Sequence, residues 1–211
     1  MQKGFLISFE GGEGSGKSTQ IPIIAARLRE KGQGVLTLRE PGGSKIGEKI
    51  REIVLNPDSK EMAFTTEVML FQAERAQLYN EVILPALREC KIILIDRTRD
   101  SSLVYQGMVR RFGADLIEQL NTISTQNTYP DLTFLLDVSV EFGLQRRAQD
   151  GDQNRIDKEN LDFHQQVREA YLQVAKENKG GRWHIIDADQ TSEKVTEQIW
   201  AVIAACQFHS S

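Results

Sequence analysis

One stretch constrains the fold more than any other: Gly11-Gly12-Glu13-Gly14-Ser15-Gly16-Lys17-Ser18. It follows the apolar run Phe5–Glu10 and precedes Ile21, Ile24 and Leu28, which recur at helical spacing. It matches G-x-x-x-x-G-K-[ST] at each fixed position, with a strand expected before it and a helix after it. Glycines let backbone N–H groups converge on phosphate oxygens, and the helix that follows adds the positive end of its dipole. Lys17 is spaced to reach β- and γ-phosphates, and the Ser18 hydroxyl is spaced to ligate Mg²⁺. The same spacing makes Gly11, Gly12, Glu13, Gly14, Ser15, Gly16 and Thr19 candidates for contact with a nucleotide triphosphate. Pro22 falls in the second helical turn and removes a backbone hydrogen bond, so a kink or a tightened first turn is expected.

The rest of the chain extends this beginning. Strand-like runs are Phe5–Glu10, Val35–Arg39, Ile92–Asp96, Leu132–Asp137 and Trp183–Asp187. Continuous runs such as Ile92-Ile93-Leu94-Ile95 suit strands buried on both faces of a parallel sheet. Helical patterns lie between them, including a long one from about Glu67 to Cys90 and others over Leu116–Ser124, Val140–Arg147, Leu161–Glu177 and Glu193–Ala205. The expectation is an α/β fold: a doubly wound, five-stranded parallel sheet flanked by helices. The 211 residues suit a single domain, 1–211, with no internal boundary visible. With 40% hydrophobic and 27% charged residues, the chain is neither disordered nor collagenous. A net charge of −4 argues against a nonspecific nucleic-acid binder. No apolar run approaches a membrane span, and Phe5–Phe9 is too short for a signal peptide. Cys90 and Cys206 fit no metal or disulfide spacing, so reduced thiols and a cytoplasmic location are expected.

Ligands of such sheets bind beyond the carboxyl ends of the strands. Asp96 ends the third strand, where a carboxylate can hold Mg²⁺ or cap the strand. Arg39, Arg97 and Arg99 follow strand ends, with Arg110 and Arg111 further on, so a second anion is expected beside the triphosphate. That is the need of a kinase with a phosphorylated acceptor. A GTP switch usually carries Asn-Lys-x-Asp; here Asn178-Lys179 continues as Gly180-Gly181. A nucleotide-gated binding protein without acceptor chemistry is the alternative of a different class.

The chain resembles the bacterial thymidylate kinases. The resemblance rests on Phe9-Glu10-Gly11, Arg39-Glu40-Pro41-Gly42-Gly43, Phe71 with Arg75, and Asp96-Arg97 with Ser101-Ser102 and Tyr105-Gln106-Gly107. It implies a phosphate-loop kinase fold with a short lid at about 146–155. It also implies transfer of the γ-phosphoryl group of ATP to dTMP, with Mg²⁺, in dTTP synthesis, by a homodimer with no nucleic-acid or membrane partner. Another nucleoside monophosphate kinase is the nearer alternative.

The resemblance assigns Phe71 to stacking on thymine and Arg75 to a base carbonyl; Phe71 would otherwise be core. Arg97, and Arg39 unless it is a structural ion pair, would hold the acceptor phosphate. Glu13 would lie near the acceptor, or else be a solvated loop charge. Ser101 and Ser102 would read the base edge or serve as local caps, Tyr105 would close on the deoxyribose, and Gln106 would lie near the pocket.

Some members of that family carry an arginine inside the phosphate loop, where this chain has Gly14. The catalytic arginine is therefore expected in the lid. Arg147 and Arg155 are the candidates, because Asp150 occupies a position where arginine is common. Arg146 would stack on adenine, near the loop Asp187–Gln190. Thr98 stands where the family usually has an aromatic residue or histidine, which weakens the packing argument near the acceptor.

Overall fold

The computed structural model describes residues 4–149, 151, 153–178 and 180–206. Its five strands are β1 (Phe5–Glu10), β2 (Val35–Arg39), β3 (Ile92–Asp96), β4 (Leu132–Asp137) and β5 (Trp183–Asp187). They form one parallel sheet in the order β2-β3-β1-β4-β5. Each strand has the bounds read from its apolar run. The sheet grows outward from both sides of β1, so a crevice opens at the carboxyl end of that strand.

The connections carry α1 (Lys17–Glu30), α2 (Lys45–Val54), α3 (Phe64–Leu78), α4 (Leu84–Arg88), α5 (Arg99–Ser102), α6 (Ala114–Ser124), α7 (Val140–Gln149), α8 (Leu161–Glu177) and α9 (Ser192–Ala204). Side chains alternate across β3. Ile92 and Leu94 pack with Ile21, Ile24 and Leu28 of α1 and with Ile199 and Ile203 of α9. Ile93 and Ile95 pack on the opposite face with Leu78, Tyr79, Ile83 and Leu87. Both faces are thereby closed to water, which stabilises each buried isoleucine or leucine by about 1.5–3 kcal/mol relative to exposure.

α1 runs unbroken through Pro22, and its first turn is tight: Thr19 N–H donates to the Gly16 carbonyl three residues back, at 3.1 Å. Two segments differ from the sequence reading. The long helix begins at Phe64 rather than Glu67 and widens into a π-helical turn, Tyr79–Ile83, before α4 ends at Arg88. Pro85 explains the widening, because its ring has no N–H and crowds the carbonyl of Glu81. The stretch Arg99–Val109, given no element from sequence, is helical: α5 continues as a second π-helical segment, Leu103–Val109. Its serines and Gly107 mask any 3.6-residue apolar period, and packing against α6 and α8 holds it. Among the described residues no helix is long and apolar enough to cross a membrane.

Candidate active site

A cleft of about 560 Å³ opens at the carboxyl end of β1, within the size range of small-molecule sites. Its floor is the phosphate loop. Lys17 is 6% exposed and donates to the carbonyls of Gly11 (3.1 Å) and Gly12 (2.9 Å) and to Ser15 Oγ (3.0 Å). Burial, and next Arg97, lower the Lys17 pKa from its ordinary value, which marks a cation held away from water. Gly14 has φ +65°, and a Cβ there would collide with the Gly143 carbonyl of α7. Gly143 in turn leaves no room for a Cβ against the Glu13 carbonyl. The close approach of α7 therefore excludes an arginine at position 14.

Ser18 Oγ donates to Asp96 Oδ2 at 3.4 Å, which joins the helix after the loop to the end of β3. Hydroxyl and carboxylate form a hard-oxygen pair. This fits Mg²⁺, which takes few protein ligands and fills the rest with phosphate oxygens and waters. Among the described residues no group of three or more His, Cys, Asp or Glu forms a metal cage.

Beside the loop, around Arg97, the fold gathers a network of charge. Arg97, at φ +64°, donates to Glu13 Oε1 (2.8 Å) and to Tyr171 Oη (3.2 Å), and lies 5.3 Å over the Tyr105 ring. Tyr105 Oη donates to the same Glu13 oxygen at 3.2 Å. Burial pushes the Glu13 carboxyl up, but Arg97, Lys17, His164 and the Tyr105 hydrogen bond together outweigh it and hold it below its ordinary value. Glu13 is thus a structural anion of the cleft rather than a solvated loop charge. Glu10 accepts from Thr98 N–H (2.9 Å), Ser101 Oγ (2.6 Å) and Tyr171 Oη (2.8 Å). Burial, with Asp100 next, pushes its pKa up to about 7. Ser101 serves this cluster and Ser102 accepts from Arg75, so neither caps a helix.

Arg75 is 1% exposed. Its Nε donates to Glu40 (2.8 Å), Nη1 to Ser102 and Asn121 (both 3.0 Å), and Nη2 to the Thr98 carbonyl (3.2 Å). Four of its five N–H groups are thereby used within the described residues, and the residue is among those lining the cleft. Phe71 packs among Val54, Val104 and Tyr105, as the core reading has it, and also lines the cleft. Gln106 gives its Nε2 to Glu67 (2.8 Å).

Two arginines stand differently from expectation. Arg39 lines the cleft but is 55% exposed and pairs with Glu48 at 3.0 Å, the structural ion pair left open by the sequence. Arg155 is outside the cleft lining. It donates to the Val54 carbonyl (3.2 and 3.1 Å) and to Glu67 (2.6 Å), because that deeply buried carboxylate draws in Arg110 and Arg155 together. Arg147 does line the cleft and pairs with Asp157 at 2.8 Å. Asp150 lies outside the described residues.

At the far end, Arg146 lies 4.0 Å over Phe142 and donates to the Ala188 carbonyl at 3.5 Å, with Gln190 beside them in the wall. Thr19 lines the cleft as well, whereas Gly11 and Gly12 contribute through the carbonyls that hold Lys17. Sequence reasoning missed Arg51. It lines the cleft beside Arg39 and donates to the Pro41 carbonyl, and burial with Arg39 lowers its pKa. Nothing local marks it, since it lies on the last turn of α2 and reaches back. Glu40 and Thr98 were likewise not named as site residues.

This geometry agrees with comparisons to known proteins. A family model described as Thymidylate kinase matches residues 9–199. Curated thymidylate kinases from Thermoanaerobacter sp. (strain X514) and Thermoanaerobacter pseudethanolicus (strain ATCC 33223 / 39E) are each 42% identical over 201 residues, covering 95% of this chain and 98% of theirs. The crystal structure of thymidylate kinase from Ehrlichia chaffeensis superposes with a TM-score of 0.77 at 30% identity, covering 97% of this chain and 99% of that one. The chain belongs to the thymidylate kinase family, whose members use ATP to phosphorylate dTMP to dTDP.

Proposed function

We propose that the cleft transfers the γ-phosphoryl group of ATP to dTMP for dTTP synthesis, with the work divided between its two sides. One observation carries this reading: a buried phosphate-loop lysine and a part-buried cation–anion pair, Arg97–Glu13, share the same cleft. Lys17 and the loop amides hold the donor phosphates. Ser18 and Asp96 would hold Mg²⁺, which when bound offsets phosphate charge. Arg97 and Arg51 hold the acceptor phosphate, with Arg39 at the rim. Phe71 stacks on thymine, and the remaining Arg75 N–H meets a base carbonyl. Gln106 has committed its amide nitrogen to Glu67, so its carbonyl is the end that suits the thymine N3–H. Tyr105 closes on the sugar where a 2′-hydroxyl would project.

Transfer needs no covalent enzyme intermediate; positioning and charge suffice. Arg147 supplies the lid cation, since it lines the cleft and Arg155 does not. Arg146 covers the adenine near Ala188. The chain works as one kinase domain, in the cytoplasm. A homodimer is supported by exposed apolar residues on neighbouring helices: Ile46 and Ile53 of α2, Phe64 and Met69 of α3, and Leu116 and Ile123 of α6.

A coupled ADP-release assay with ATP and a panel of monophosphates tests the function. dTMP should turn over best, ahead of dCMP and of the analogue bearing a 2′-hydroxyl. Equal turnover of dCMP would overturn the base reading, and turnover of none would overturn the acceptor chemistry.

A further inference from the structure

Thr98, a departure from the family's usual aromatic residue or histidine, is fully buried and bonded through each of its polar groups. Its N–H donates to Glu10 Oε1 (2.9 Å), and its carbonyl accepts from Arg75 Nη2 (3.2 Å). Its hydroxyl is 3.0 Å from Glu40 Oε1 and 3.0 Å from Tyr79 Oη. The direction of this chain follows from chemistry. The Glu40 carboxylate, paired through its other oxygen with Arg75 Nε, accepts from Thr98. The Thr98 hydroxyl has one proton and spends it on Glu40, so it accepts from Tyr79. The order is Tyr79 to Thr98 to Glu40, with Arg75 closing on Glu40 from the other side.

Tyr79 itself does not line the cleft. It is fully buried on the first π-helical turn, where the widened backbone sets its ring among Leu78, Ile83, Ile93 and Ile95. Burial, and next Glu40, push its phenol above the ordinary value, so it remains a donor through the neutral range.

We propose that Tyr79 is a positioning residue for recognition of the acceptor base: it holds the Thr98 hydroxyl on Glu40, and Glu40 with the Thr98 carbonyl sets the angle at which Arg75 meets the base. The inference rests on Arg75 reading the thymine carbonyl. A buried phenol on α3's continuation and a threonine after β3 thus run a directed hydrogen-bond line to the guanidinium.

The test uses Tyr79→Phe, Thr98→Val, the double variant and Thr98→Ser in the full-length enzyme, with KM and kcat for dTMP and dCMP. Tyr79→Phe should raise the KM for dTMP roughly three- to ten-fold, the weight of one hydrogen bond. It should narrow the preference over dCMP and leave kcat and the KM for ATP within about two-fold. Thr98→Val should do more, and adding Tyr79→Phe to it should cost nothing further, because the line is already cut. Thr98→Ser, which keeps the hydroxyl, should stay near wild type; it also decides the matter should Thr98→Val fail to fold. A Tyr79→Phe enzyme with a lowered Tm but unchanged KM and preference would overturn the proposal, as would additive effects in the double variant or a Thr98→Ser loss as large as that of Thr98→Val. Arg75→Lys separates the two readings. If it leaves the dTMP KM unchanged, the Arg75 reading fails; if it raises that KM while Tyr79→Phe does not, only the positioning line fails.

Discussion

On the side proposed for the donor, the phosphate-loop groups come from nine consecutive residues, Gly11–Thr19. On the acceptor side, Glu40, Arg75, Thr98, Ser102 and Asn121 meet from β2's end, α3, the segment after β3, α5 and α6. The first is backbone geometry, in which glycines and a helix terminus aim N–H groups. The second is a set of buried side-chain charges that satisfy one another across the fold. Removing a donor-side side chain should therefore cost activity and little stability. Removing an acceptor-side charge should cost both, because its partner is left buried and unpaired.

The largest effect is expected for Lys17→Ala, with kcat falling by ~10³-fold or more. Its bonds go to loop carbonyls that water can replace, so Tm should move by no more than a few degrees. Steady-state kinetics and calorimetry on the same preparation check this; a large Tm loss would break the contrast.

The lid sharpens it. Arg147→Ala should lower kcat about 10³-fold, the low end for a catalytic arginine, with little change in dTMP binding. Arg155→Ala should keep kcat within a few fold and lose about 2–4 kcal/mol in denaturant unfolding, through the broken Glu67 pair. The reverse pattern would return the catalytic task to Arg155.

Arg75→Ala should raise the dTMP KM by about 10- to 100-fold, since a buried recognition donor is lost. It should also lower stability by about 3–5 kcal/mol, as Glu40 loses its partner. Full stability with impaired binding would place Arg75 with the donor-side type.

A last test concerns pH and reads stability alone. Glu74 Oε1 accepts from Gly42 N–H (2.9 Å), while its buried Oε2 has no partner among the described residues. Burial, and next Glu40, push its pKa up from 4.5 to about 9. The folded state thus keeps a proton that the unfolded chain has lost between those values. Its stabilising contribution is complete below pH 4.5 and is lost as pH rises to about 9. Glu74→Gln cannot titrate, so its Tm relative to wild type should climb as pH rises across that window. A constant difference would show that the proton is not held.

Legibility followed the same division. The five strands, the phosphate loop and most helix ends could be read because apolar period and glycine spacing are local signals. Arg99–Val109 escaped because its helical form depends on α6 and α8 rather than on its own period. Arg155 and Arg147 are both plausible from spacing; Glu67, far away in sequence, separates them. Arg51 and Thr98 drew no site assignment because their importance depends on Arg39, Pro41, Tyr79 and Glu40 being near.

By itself the sequence determined a parallel α/β sheet with a phosphate loop at the end of β1. It also carried the family motifs that name the acceptor, since each of these is written in neighbouring residues. Only the tertiary structure decided which arginine faces the cleft, why position 14 tolerates no side chain, and how Arg75 is held. Those outcomes depend on where buried charges find partners, and a buried charge is stabilised by whatever the fold brings to it, at any distance along the chain.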